Sequence, residues 1–117
     1  METKAWKDYE LSRMMLGTVQ FGLPYGVANR TGQPSADEVR DMVAAALEGG
    51  VNGFDTAAAY GTSEEVLGRA LRELKAADRV VVVTKVRALT PAELGDRQLA
   101  VQAIRQSVET SRQRLGI

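Results

Sequence analysis

Three residues in this sequence carry groups suited to moving a proton. Asp55 closes the short apolar run "VNGFDT" at residues 51–56, Tyr60 follows five residues later, and Lys85 lies near the end of "VVVVTKV" at residues 80–86. A phenol ionises near pH 10, too high to release a proton readily at neutral pH, and a neighbouring ammonium favours the tyrosinate. A carboxylate within ~4–6 Å of that lysine keeps it charged and fixes its direction. Lowering the phenol pKa by two units corresponds to about 2.7 kcal/mol of differential stabilisation. Tyr60 then reads as a general acid, Lys85 as the group that tunes it and Asp55 as the group that holds Lys85. Each residue alone also has an ordinary reading: a turn or cap aspartate, a solvated lysine at a strand end, a tyrosine packed beside Gly61. The chemistry requires all three to meet.

The surrounding pattern supplies a way for them to do so. "LSRMMLGTVQFG" at residues 11–22 reads as a strand that delivers its end to the loop "GLPYGVANRTGQPS". Ser35 and Glu38 have capping-box spacing after Pro34, and Val39, Met42, Val43, Ala46 and Leu47 form one apolar helical face that stops at Gly49 and Gly50. The strand of Asp55 follows. Thr62 and Glu65 repeat the capping-box spacing ahead of Val66, Leu67, Ala70, Leu71 and Leu74, and "VVVVTKV" is the continuous β-branched run of a parallel strand covered on both faces. Thr90, Pro91 and Glu93 mark a further helix start, and from Arg97 the residues Val101, Ile104, Val108 and Leu115 recur at helical spacing up to Gly116.

Strands and helices thus alternate three times, which calls for a parallel sheet, either doubly wound or closed into a barrel. No G-x-G-x-x-G follows the first strand, so the dinucleotide fingerprint of the doubly wound fold is missing. Asp55, Tyr60 and Lys85 each fall at or just past the carboxyl end of a strand, the edge at which such sheets bind ligands. Gln20 and Tyr25, just past the first strand, are candidates for touching substrate. The last helix gives way to Ile117 where a fourth strand is expected, and residues 1–117 read as the first part of a single larger domain.

Composition narrows the partners. The chain has 117 residues, 44% hydrophobic and 26% charged, with 15 basic and 15 acidic residues that cancel. Nothing in this balance matches a nucleic-acid-binding or membrane-surface protein, and no apolar run approaches the ~20 residues of a membrane span. The expected location is cytoplasmic. Cysteine and histidine are both absent, which removes thiolate and imidazole metal ligands and the commonest general base. The expected partner is a small molecule, with no metal.

"GFDTAAAYGTSEEVLGRAL" followed by "VVVVTKV" resembles the aldo-keto reductase family, whose hallmark is F-D-T-A-x-x-Y-G-x-x-E near the second strand and a lysine ending the third. "MLGTVQFG" is similar to the family's first barrel strand, and the long first loop resembles bacterial members. The resemblance implies a (β/α)8 TIM barrel, of which this chain carries the first three βα units, and reversible reduction of an aldehyde or ketone with NADPH. It implies Tyr60 as proton donor with Lys85 and Asp55 as its tuning partners, and Gly17, Thr18 and Asp55 lining the nicotinamide end. The family's catalytic histidine lies after its fourth strand, and its phosphate site lies near strands seven and eight, so the chain alone is expected to be inactive. A nucleotide-sensing regulatory subunit on the same barrel is the alternative. Trp6 and Tyr9 fall where the family has a hairpin below the barrel, which suggests a packing role. Arg105, Arg112 and Arg114 read as a solvated helix face.

Overall fold

A computed structural model describes residues 1–117. The chain opens with a hairpin, β1 (Thr3–Trp6) and β2 (Tyr9–Ser12), and then enters a separate sheet through β3 (Met15–Gly17). The remaining elements are α1 (Val19–Gly22), α2 (Ala36–Glu48), β4 (Gly53–Asp55), α3 (Ser63–Glu73), β5 (Val81–Val83), α4 (Pro91–Gly95) and α5 (Arg97–Leu115). The second sheet is parallel in the order β3-β4-β5, in a register that sets Gly17 beside Asp55 and Asp55 beside Val83. This is the alternating α/β order that the sequence pattern calls for.

The stretch at residues 11–22 is not one strand. It divides into the end of β2, a corner, β3 and the short helix α1. The corner is held by two polar side chains: Ser12 N donates to Asn52 Oδ1 at 2.8 Å, Asn52 N donates to Ser12 Oγ at 3.0 Å, and Asn52 Nδ2 donates to Glu10 O at 2.7 Å. The hairpin is thereby tied to the chain entering β4. Within it, Trp6 and Tyr9 stack on one another at 6.2 Å with Lys7 over the indole, and both rings stand half exposed. Their packing is with each other rather than with the core.

The run "VVVVTKV" also forms a shorter strand than its composition suggests. β5 has a single neighbour, β4, and beyond Val83 the backbone is held by Thr56 N donating to Val83 O at 2.8 Å and Ala58 N donating to Lys85 O at 3.1 Å. The extended path therefore continues to Lys85 after the regular ladder stops.

Helix starts follow local chemistry where side chains are free to cap. Ser35 with Glu38 and Thr90 with Glu93 form reciprocal capping boxes, and Asp96 Oδ1 accepts from Gln98 N and Leu99 N ahead of α5. The box expected from Thr62 and Glu65 does not form. The Thr62 hydroxyl instead accepts a hydrogen bond from Gln33 Nε2 at 3.2 Å.

Val39, Val43, Phe54, Leu67 and Leu71 are fully buried where α2 and α3 pack beside β4, each contributing about 1.5–3 kcal/mol of transfer free energy as an upper bound. α5 buries a different face from the one its apolar residues mark. Val101, Ile104 and Val108 are exposed, and Ala103, Ser107, Ser111 and Leu115 are buried. Four-residue spacing puts these residues on one stripe, along which Ser107 Oγ accepts from Arg87 N at 3.1 Å. At its carboxyl end α5 approaches α3 so closely that a Cβ on Gly68 would stand 2.5 Å from Arg114 O and 2.7 Å from Leu115 O. No helix is long and apolar enough to cross a membrane.

Candidate active site

The site begins with the ends of β3 and β4. Thr18 N and Thr18 Oγ1 both donate to Asp55 O at 3.0 Å, locking the first strand's exit onto the backbone of the aspartate. Beneath this contact lies a cluster of buried hydroxyls. Ser63 Oγ stands 2.8 Å from Thr18 O and from Thr18 Oγ1, and 3.0 Å from Thr56 Oγ1. Thr18, Thr56 and Ser63 are all fully buried, and their mutual bonds offset the cost of removing three hydroxyls from water. They join β3, β4 and the start of α3 at one point.

Lys85 reaches this point from β5. Its ammonium donates to Asp55 Oδ1 in a short ion pair and to Thr56 O at 2.9 Å, and its Nζ lies 5.2 Å from the centre of the Tyr60 ring. Lys85 thus lies within reach of both Asp55 and the Tyr60 ring. The Asp55 carboxylate holds the Lys85 ammonium above its usual range, against a smaller opposing effect of desolvation. Both side chains of the pair are about half exposed, at 49% and 44%. An ion pair so open to water adds ~0–1 kcal/mol to stability. Its consequence is positional: the cation is fixed beside the phenol ring.

Tyr60 itself sits on a tight turn. Tyr60 N donates to Ala57 O at 3.1 Å and Ser63 N donates to Tyr60 O at 3.0 Å, while Gly61 takes the left-handed conformation at φ 55°. Only a residue without a Cβ enters that region freely. A Cβ on Gly61 would also fall 2.3 Å from Gly22 O.

The other expected site residues are placed unequally. Gly17 is exposed at the mouth, and a Cβ there would meet nothing within 4 Å, so a flat ligand has access to its backbone beside Asp55. Thr18 has no exposed surface, so it supports the mouth from beneath instead of lining it. Gln20 Nε2 donates to Tyr25 O at 2.7 Å, and the Tyr25 side chain is exposed; these two organise the first loop and make no hydrogen bond to Asp55, Tyr60 or Lys85. The reading of Arg114 as solvated needs correction, because it pairs with the buried Glu64 at 3.5 Å as well as with Glu65 at 3.3 Å. Arg112 pairs with Glu109 on the outer face.

Sequence reasoning passed over Thr56, Ser63 and Gln33. For Thr56 and Ser63 the available pointer was hydroxyl residues at a strand end and a helix start, adjoining the charged trio. Gln33 donates to Phe21 O at 2.9 Å and to Thr62 Oγ1, a link between distant segments that no local pattern displays.

A family model described as the aldo/keto reductase family matches residues 13–117. A curated relative, the NADH-specific methylglyoxal reductase of Escherichia coli strain K12, is 37% identical over 122 residues, covering 94% of this chain and 36% of the relative. A solved structure from Pseudomonas aeruginosa, described as an aldo-keto reductase, is 36% identical with a TM-score of 0.68, covering 92% of this chain and 40% of that one. A thermostable aldo-keto reductase solved with the inhibitor epalrestat has the same fold at 24% identity, with a TM-score of 0.64 over 99% of this chain and 39% of that one. The chain therefore spans about two fifths of the length of the proteins it matches.

Proposed function

Because this chain belongs to the aldo/keto reductase family, whose members reduce carbonyl compounds with nicotinamide cofactors on a (β/α)8 barrel, we propose that residues 1–117 form the amino-terminal part of one such barrel domain and carry its proton donor. The reaction is reduction of an aldehyde or ketone to an alcohol. The observation that carries this reading is the position of Lys85 Nζ, bonded to Asp55 and 5.2 Å from the centre of the Tyr60 ring.

The chain's own residues divide the work as follows. Tyr60 delivers the phenolic proton to the carbonyl oxygen as negative charge develops there. The Lys85 ammonium stabilises the phenolate that remains, and so lowers the cost of the transfer. Asp55 holds the ammonium charged and directed, which matches the raised pKa of Lys85. The buried hydroxyls of Thr18, Thr56 and Ser63 fix the backbone of Asp55 and Thr56, the two residues that grip Lys85. When the mouth is covered and water leaves it, each of these interactions strengthens.

The open backbone at Gly17 and the adjacent Asp55 are suited to receive the nicotinamide end of a dinucleotide, which supplies the hydride. The family resemblance favours NADPH, whereas the E. coli relative is named for NADH; the two are separated by comparing both dinucleotides at equal concentration. Methylglyoxal, from that relative's name, is the first carbonyl to offer.

The test is turnover by the full-length protein that contains this chain, followed as dinucleotide oxidation with methylglyoxal and with a generic aromatic aldehyde. Carbonyl-dependent oxidation that disappears in Tyr60→Phe supports the assignment. Tight dinucleotide binding with no turnover of any carbonyl would replace it with a nucleotide-sensing role.

A further inference from the structure

Among the buried residues Glu64 is the one with an ionisable side chain, and it is only 2% exposed. A carboxylate this deep is costly unless its oxygens are satisfied. Here both are: Thr84 Oγ1 donates to Glu64 Oε1 at 2.6 Å, and Arg114 Nη1 lies 3.5 Å from Glu64 Oε2. Glu64 also stands in the first turn of α3, where the helix dipole favours negative charge. An ion pair between α3 and α5 would account for Arg114 alone. It does not account for the shorter bond, to Thr84.

Thr84 immediately precedes Lys85 on the extended segment that follows β5. Successive side chains of such a segment point to opposite faces, as the contacts confirm: Thr84 meets α3 behind the sheet, and Lys85 meets Asp55 at the mouth. The regular ladder has ended at Val83, and the backbone bond from Ala58 N to Lys85 O is one tether of this segment. The bond from Thr84 to Glu64 is a second, acting from the other face. We propose that Glu64 is a positioning residue for Lys85, acting through the Thr84 hydroxyl: it anchors the back of the segment so that the ammonium stays on Asp55 and beside Tyr60. This inference rests on the reading of Lys85 as the tuning group, and no part of it requires Glu64 to touch substrate.

The test is competitive acylation of the lysines in the full-length protein that contains this chain, quantified by peptide mass spectrometry, with Lys4 and Lys75 as internal references. Acylation needs the free amine, so an ammonium held by Asp55 and Thr56 O is protected. Thr84 is exposed, and Thr84→Val keeps the shape and β-branch of the side chain while removing the bond. It is expected to raise the relative reactivity of Lys85 on the order of fivefold, the population change that accompanies one lost intramolecular hydrogen bond. Thr84→Ser, which keeps the hydroxyl, is expected to match the unaltered chain, and Glu64→Gln, which keeps a neutral acceptor, to fall between. A purely structural clamp would lower the melting temperature without changing the relative reactivity of Lys85. Lys85 equally protected in Thr84→Val and the unaltered chain, or equally reactive in Thr84→Val and Thr84→Ser, overturns the proposal. Labelling involves no turnover, so failure to find carbonyl reduction would count against the reductase reading and leave this result standing.

Discussion

Gly22 lies so close to the turn of Tyr60 that a Cβ placed on it would stand 1.8 Å from Tyr60 O and 2.4 Å from Ser63 N. The end of α1 and the turn that carries the proposed acid are in direct backbone contact. Neither side of that contact is a flexible side chain, so nothing yields cheaply. Gly22→Ala is therefore expected to destabilise the fold by the ~1–3 kcal/mol of a small overpacking defect and to move the Tyr60 turn. Denaturant unfolding gives the first quantity, and the chemical shifts of Tyr60 and Gly61 report the second. A stable Gly22→Ala with unmoved shifts at both residues would show that α1 shifts instead and leaves the turn alone.

Removing the phenol tests the chemistry without disturbing this packing. In the full-length protein, Tyr60→Phe is expected to lose ~10²–10⁴ in carbonyl reduction, the range for loss of a general acid, with dinucleotide affinity nearly unchanged because the ring remains. Steady-state rates with a reactive aldehyde and a fluorescence titration of the dinucleotide measure the two effects separately. Undiminished turnover would mean that another group supplies the proton.

Glu93 predicts how stability falls at acid pH. Arg87 contacts both carboxylate oxygens of Glu93, at 2.7 and 2.9 Å, and Thr90 N donates to the same side chain. With the Arg87 guanidinium as the leading cause and the Thr90 backbone next, Glu93 falls from its ordinary 4.5 to about 2. A carboxyl with a depressed folded pKa contributes stability that is fully present above its unfolded value and is lost as pH falls through the folded value. Glu93 is therefore expected to destabilise the chain progressively from about pH 4.5 down to about pH 2. Glu93→Gln should flatten that part of the profile and leave the neutral part lower by a constant amount. Melting temperatures between pH 2 and 7 decide it, and identical acid limbs for both proteins would assign the loss to other carboxylates, such as Glu38 and Glu73, whose pKa values are also lowered.

The features legible in the sequence are those that local chemistry determines. Ser35 and Glu38 are three apart and free in solvent, so their spacing alone specifies the cap that forms. The alternation of strands and helices, and the placement of Asp55, Tyr60 and Lys85 at one edge, follow from periodicity in the same way. The same spacing at Thr62 and Glu65 forms no box because Thr62 sits at φ −92° and ψ 11° instead of the extended backbone that Ser35 and Thr90 adopt, while its hydroxyl accepts from Gln33, 29 residues away. On α5, hydrophobicity points to Val101, Ile104 and Val108, but the buried stripe is Ala103, Ser107, Ser111 and Leu115, where Ser107 Oγ accepts from Arg87 N on the segment after β5, a contact that periodicity does not display. The hydroxyl cluster of Thr18, Thr56 and Ser63 escaped for a related reason. Its members lie 38 and 7 residues apart and become one site only after three segments have folded together.

The final prediction concerns the 117-residue chain in isolation, which is expected to show neither dinucleotide-dependent turnover nor tight dinucleotide binding, and to self-associate. β3 and β5 each have one neighbour in the sheet, so both edges present unpaired backbone groups. Val83, Val86, Val108 and Ile117 are exposed around the β5 edge and the adjoining face of α5, a grouping of apolar surface that favours association over a soluble monomer. On the cofactor side, transfer of a hydride needs the donor ring held within about 3–3.5 Å of the carbonyl carbon. The chain offers only the open backbone at Gly17 and the Asp55 carboxylate to do this, while the proteins it matches are about two and a half times as long. Sedimentation velocity across a concentration series and titration with NADPH and NADH give the two answers. A concentration-independent monomer that binds either dinucleotide saturably at micromolar levels would show that the cofactor site lies within these three βα units, and that they form a working unit by themselves.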